Sequence, residues 1–411
     1  MNHMRLWFPP VLLVLCLPLV LAAQESYTLD DLLRIGRERN PTLLALRAEQ
    51  SAMEAHRRAS GRWDNPELEY EWGSGDPREG GDSRTISGFS ARQVLENPLT
   101  RHFRLGSVQA LVDASAQDVR SGVLDVEFEV RMHFYRILFL QEMVGLAQLN
   151  EEALSEIRAL IETRARVGEV RELEAIRLRV EHMRAQNEME AAEMELDQFR
   201  RHLNTFLGKV LPEGFGLEGS LDVLGDVPDL EQITRDFLPT HPAMVRAQKE
   251  RESAEKGLRE NQFGWLPDPV FSGASKTELD GEVRTLGVGL QIPLWNQSRA
   301  ATQEAQQRVR LQEYREEALR LELEANLMIH HNHLRLNRQT LRLFQEGLLE
   351  EAQESMEIAE TSYREGEISF IEYLDAHRTF RSIQIQYQQA LFDWNVERAT
   401  LDQAAGGGII R

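Results

Sequence analysis

The chain reads as a mainly α protein with a small β part, made by tandem duplication of a long helical hairpin. Three observations carry this reading. Proline is absent between Pro98 and Pro212 and again after Pro293, in stretches dense in the helix formers Glu, Arg, Leu, Ala and Gln. A constant shift of 198 residues matches Glu162 with Glu360, Gly168 with Gly366, Glu174 with Glu372, Gln186 with Gln384, Arg200 with Arg398 and Gly208 with Gly406. Finally, each half carries a pair of period-two runs bounded by Gly and Asp-Gly, the pattern of β-hairpins.

In chain order, residues 1–23 leave the fold first. Arg5 gives a positive start, Val11 to Leu21 an apolar core and Leu21-Ala-Ala23 a small-residue cleavage site, so the segment reads as a secretory signal peptide. Cys16, the one cysteine, lies inside it after Leu13-Val-Leu15 rather than after the small residues of a lipid-attachment site. The mature chain is then expected to hold no thiol and no disulfide. No later run supplies the roughly 18 uncharged apolar residues of a spanning helix.

The first helix starts after Tyr27, where Thr28 and Asp31 have capping-box spacing, and Asn40-Pro41 interrupts it. The second half repeats this with Asp229 and a break at His241-Pro242. A strand pair follows each break, at about 64–96 and about 267–294. Leu68, Tyr70 and Trp72 fall on one face of the first. Four strands close no barrel alone, so they suit either a lipid-facing barrel shared between subunits or a small sheet capping a helical domain.

Long helices are expected from about Leu99 to Val167 and from about Ser298 to Arg364, each reaching roughly 100 Å at 1.5 Å per residue. Each turns at its glycine, Gly168 or Gly366, and returns for about forty residues. Val123, Val126, Val130, Phe134, Ile137 and Leu138 recur at threes and fours, as in helices packed like coiled coils. These readings divide the chain into a signal peptide (1–23), a first repeat (24–211), a crossing segment (212–228), a second repeat (229–405) and a flexible tail (406–411).

A net charge of −20 disfavours nucleic acid as a partner. It suits either simple solubility of a long exposed helical body or an acidic interior that attracts cations. No nucleophile elbow, phosphate loop or HExxH motif occurs, so no enzyme is expected. His330 and His333 share a helix face beside His331 and invite a metal reading, yet no carboxylate or third histidine stands at an obvious position. A solvated helix face accounts for them as well, and no metal site and no cofactor are assigned.

Together, Thr28-Leu-Asp-Asp-Leu-Leu with Asn40-Pro41, the two glycine-centred tips, and Tyr363-Arg-Glu-Gly-Glu-Ile-Ser-Phe-Ile-Glu-Tyr-Leu-Asp-Ala376 resemble the TolC-like family of outer-membrane efflux proteins, over essentially the whole mature chain. The resemblance implies a homotrimer whose subunits each give four strands to a twelve-stranded barrel in outer-membrane lipid and four long helices to a periplasmic tunnel. It also implies a periplasmic membrane-fusion adaptor and an inner-membrane efflux pump, expected to be of the RND type. Asn65-Pro-Glu-Leu68 and Gln291-Ile-Pro-Leu-Trp-Asn296 are similar to the heavy-metal cation (CzcC-like) branch; drug efflux and type I secretion are the other family roles.

By the same resemblance, Glu372 and Asp375 hold the positions of the aperture acids, Tyr363 matches a residue of the closing network, and Glu174 is the repeat counterpart of Glu372. Gly168, Gly366, Val170 and Ile368 fall at the tips where an adaptor would make contact; the family often has a basic residue where Ile368 stands. Three subunits meeting there would stack two rings of carboxylates, a reason for cation-sensitive gating. The plainer alternative is that both acids solvate a helix end. Across classes, a soluble periplasmic coiled-coil scaffold competes with the duct, and the two duplicated strand pairs favour the duct.

Overall fold

The computed structural model describes residues 26–409 apart from 77–79, 81, 169–170, 223–224, 280 and 294–298. The signal-peptide assignment, Cys16 and Val170 lie outside these residues, as does the Leu294-Trp-Asn296 part of the branch motif. Strand β1 (Ser26–Tyr27) leads into helix α1 (Leu29–Arg39), whose Thr28–Asp31 capping box is formed as expected. Asn40 ends α1 and caps α2 (Pro41–Ser60), accepting from the Leu43 N–H at 3.1 Å. Its amide also donates to the Phe206 carbonyl at 2.9 Å, so the proline break is tied to the end of a distant helix.

Strands β2 (Glu67–Gly75) and β3 (Arg84–Val94) precede α3 (Pro98–Arg166), a single helix of 69 residues, and α4 (Glu172–Phe206) runs back along it. The crossing segment holds β4 (Gly216–Leu217), which pairs in parallel with β1. The second repeat supplies α5 (Leu230–Phe237), α6 (Pro242–Phe263), β5 (Asp268–Glu278), β6 (Gly281–Gln291), α7 (Arg299–Leu343), α8 (Leu349–Glu365) and α9 (Phe370–Ala404). Helices α4 and α9 are offset by the same 198 residues at both ends.

Two expectations need correction. The second long helix is not continuous: Phe344–Leu348 forms a wide π-type turn between α7 and α8, where Gly347 has φ +119°, a conformation L residues rarely reach. Nor is 406–409 a loose tail. Gly407 donates to the Asp402 carbonyl at 2.8 Å and Gly406 to that of Gln403 at 2.9 Å, closing a Schellman cap, and the Ile409 N–H donates to the Asp402 carboxylate. Gly208 ends α4 in the same way, with the Lys209 N–H on the Asn204 carbonyl at 2.7 Å.

The main core is built on α3. Val126, Val130, Phe134, Ile137 and Leu138 belong to one buried cluster with residues of α1, α4, α7 and α9, with Val123 half-buried at its margin, in line with the sequence pattern. Leu211 at the end of the first repeat and Phe215, Leu217 and Leu221 of the crossing segment join this core. A second cluster lies toward the tips and draws on both hairpins, with Leu154 and Ile161 from α3, Leu178 from α4, Tyr363 from α8 and Phe370 and Tyr373 from α9.

The four long strands form one antiparallel sheet in the order β2-β3-β5-β6, so the two hairpins pair through β3 and β5. Residues directly opposite in the register share a face. One face collects Leu68, Tyr70 and Trp72, then Phe89, Phe271, Leu286, Val288 and Leu290. These side chains are exposed, Leu286 at 95%. The other face is charged and small: Glu71 accepts from Lys276 at 2.6 Å, Glu67 pairs with Arg92 at 3.5 Å, and Gly287 and Gly289 add no side chain. Strands of 9 to 11 residues match the length needed to cross a bilayer at a tilt.

Candidate functional site

The tip of the second repeat turns on Gly366. With φ +83°, it accepts the left-handed conformation that ends α8, its N–H reaching the Tyr363 carbonyl while the Glu367 N–H reaches that of Ser362 at 2.8 Å. Three residues on, Ser369 caps α9, and Glu372 reaches back to the Ser369 N–H at 2.7 Å. That hydrogen bond, with the Ser369 hydroxyl, holds the Glu372 carboxyl below its usual range, so it is ionised at neutral pH. Glu372 and Asp375 are both exposed, as two acids one turn apart on a helix end should be.

The other predicted residues sort differently. Tyr363 is buried, stacked on Tyr373 with ring centroids 5.2 Å apart and near Phe370 at 6.0 Å. Burial, with the nearby Glu174 charge, pushes its phenol pKa up, so it is a neutral member of the tip core. Ile368 is half-buried against the same cluster, so part of its surface serves packing. Gly168 also has positive φ, +77°. Glu174 pairs with Arg171 at 3.3 Å; Arg171 occupies the place of Ser369, so the first tip replaces a capping box with an ion pair.

Some contacts at the tips were not anticipated. Arg378 and Arg381 on α9 pair with Glu181 and Glu188 on α4, the second at 2.7 Å, tying one hairpin to the other. The matching first-repeat positions are Val180 and Met183, both exposed and apolar. Arginine in one repeat against an exposed apolar residue in the other was the available signal, because it marks positions where the two copies face different surroundings.

The histidine cluster also differs from expectation. Glu397 of α9 supplies the carboxylate that no nearby position offered: its Oε1 lies 2.7 Å from His330 Nδ1 and 3.6 Å from His333 Nδ1. The three side chains can each direct one ligand atom to within 4.8 Å of the others. His331 points elsewhere, buried, with Nε2 donating to the Pro228 carbonyl at 3.0 Å.

Known proteins share this architecture. The sequence profile of a family described as outer membrane efflux protein matches residues 32–209 and 234–407, one segment for each repeat. The cobalt-zinc-cadmium resistance protein CzcC of Cupriavidus metallidurans is 25% identical over 297 residues, 71% of this chain and 70% of that protein. The pyoverdine export outer membrane protein OpmQ of Pseudomonas putida is 26% identical over an alignment of 418 residues, covering 94% of this chain and 87% of that one. Among solved structures, the transmembrane channel CusC superposes with a TM-score of 0.77 at 16% identity, over 92% of each chain.

Proposed function

The chain belongs to the outer membrane efflux protein family, and from this premise we propose that it is the passive exit duct of a tripartite heavy-metal cation efflux system. An efflux channel of the outer membrane, with its helical body in the periplasm, needs no catalytic machinery. The finer reading is a homotrimer that receives cargo from a periplasmic membrane-fusion adaptor and an inner-membrane pump of the RND type. The sheet is the observation that carries it. One face is apolar and exposed, the other charged, and neither outer edge, β2 or β6, has a partner among the described residues. Head-to-tail pairing of those edges around a threefold axis closes twelve strands, with the apolar face toward lipid.

The cation reading rests on the CzcC relative and on the acids of the tips. Glu372 and Asp375 would form the aperture, with Glu174 and Tyr363 behind them. Gly168, Gly366, Val170 and Ile368 would present the tips to the adaptor. A second reading, export of a small organic molecule, is favoured by the OpmQ relative, whose similarity extends over more of the chain.

Because Glu372 also caps α9, an alanine there would damage the helix start and the aperture together. The informative variant is Glu372→Gln with Asp375→Asn, since glutamine still accepts from the Ser369 N–H while the charge goes. In planar bilayers, we expect higher conductance and weaker block by divalent cations added at the periplasmic side. Block that is unchanged in this variant excludes the acids as the aperture. To separate the cargo readings, a strain lacking the channel is complemented and challenged: restored resistance to zinc, cobalt or cadmium supports the cation duct, and restored export of an organic compound alone supports the second.

A further inference from the structure

We propose that His330, His333 and Glu397 form a binding site for one divalent transition-metal ion of the zinc or copper(II) class, joining α7 to α9. The two imidazoles sit one turn apart on α7 and converge on one carboxylate oxygen from α9, at 2.7 and 3.6 Å. Their rings stand at 86° with centroids 6.2 Å apart, so they approach the carboxylate from different directions. Bonds of about 2.0–2.1 Å to a tetrahedral ion place neighbouring donor atoms roughly 3.3 Å apart. The spacing present here reaches that by small side-chain adjustments.

The surroundings also hold the donors in place. The Glu397 carboxylate is largely buried, and among the described residues only the two histidines lie within ion-pair distance of it. Next to the ligands on α7, His331 donates to the Pro228 carbonyl; two residues before Glu397 on α9, Asn395 donates to that of Asp222 at 3.2 Å. Both ligand-bearing helices are thus fastened to the same crossing segment beside the site, which fixes the approach of the three donors. Two imidazole nitrogens and one carboxylate oxygen suit zinc or copper(II); magnesium and calcium want six or more oxygens. With three protein ligands, a fourth position is left for water. The proposal is independent of what the duct carries.

The test uses the full chain purified in detergent, stripped with a chelator and titrated with zinc chloride by calorimetry, alongside magnesium chloride. The same titration is run on the Glu372→Gln, Asp375→Asn protein, so that zinc held by the tip acids is subtracted. We expect one zinc per chain that persists in that protein, with no magnesium uptake. His333→Ala, which removes an exposed ring, and Glu397→Gln, which keeps the side-chain shape, should each weaken binding by at least about tenfold. His102→Ala, an exposed histidine elsewhere, should leave it unchanged. Cobalt(II) should give the intense visible bands of a four-coordinate site, lost in His333→Ala. Zinc binding that is absent, or that survives His333→Ala and Glu397→Gln alike, overturns the proposal.

Discussion

His133 shows how single side chains set the response of this protein to acid. It is buried on α3 against His202 and Phe206, with ring centroids 4.9 and 5.7 Å away, and Glu129 at 4.0 Å is the one carboxylate within ion-pair distance among the described residues. Burial, aided by His202, lowers its pKa to about 4. The unfolded chain binds this proton near pH 6.5 and the folded one resists until about 4. The associated stability is therefore full above pH 6.5 and falls as pH drops through that window. A shift of this size corresponds to an upper bound on the order of 3–4 kcal/mol. His241 and His377, lowered chiefly by burial, act in the same direction. His133→Phe, which fits the aromatic surroundings, should flatten the decline in thermal midpoint between pH 7 and 4.5; an unchanged slope would reject His133 as its source.

Glycine at the tip allows a cleaner test, because a Cβ at Gly366 would meet nothing within 4 Å. Any cost of Gly366→Ala is then conformational, roughly 1–2 kcal/mol for a left-handed L residue. It should appear as faster hydrogen exchange confined to the turn between α8 and α9. At Gly406 the added Cβ would also meet His241 and Pro242 at 3.0–3.1 Å, so Gly406→Ala should cost more. Both glycines were readable from the repeat alignment and the Thr28 cap from its spacing to Asp31, whereas Asn40-Pro41 was readable as a break and the capping role of Asn40 came only with the structure. Glu397 was not, since its partnership with His330 spans 67 residues and is created by the packing of α7 on α9. Local spacing carries no trace of such a contact.

Helices and strands followed their sequence signals wherever the signal was a repeated pattern, and departed from it where one residue broke the pattern. Leucine-rich helical periodicity runs through Gly347, so one long helix was the natural reading, and the turn at 344–348 depends on a backbone freedom only glycine has. The sheet was easier to read because alternation fixes both faces at once. Charge placed on either face should therefore act differently. Val288→Arg, on the exposed apolar face, should cost about 2–4 kcal/mol if the residue lies near the bilayer midplane. Thr285→Arg, on the opposite face of the same strand, should be tolerated. The readout is the amount of folded protein recovered in outer-membrane fractions; equal loss from both variants would contradict a lipid-facing side.

The isolated subunit is incomplete on physical grounds. Its accessible surface is 27128 Å², against roughly 16,000 Å² for a compact monomer of 47.2 kDa. Part of that surface is patterned: Leu311, Tyr314, Ala318, Leu321, Ala325 and Met328 on α7 alternate at spacings of three and four, and all are exposed. That is the seam of a coiled coil with no partner among the described residues. On α4, Leu173, Ile176, Val180 and Met183 repeat the arrangement near the first tip. Seams on two hairpins and open edges on one sheet call for neighbours on both sides, which a closed ring supplies and a dimer with one interface does not. Glutamate at two seam positions, Leu321→Glu with Met328→Glu, would bury two charges per interface or leave the seam unpaired. The detergent-solubilised mass measured by light scattering should then fall from three subunits toward one, while the monomer keeps its helical circular dichroism. A variant that stays trimeric at low protein concentration would show that the seam faces solvent in the assembly and that subunit contacts lie elsewhere on the helices.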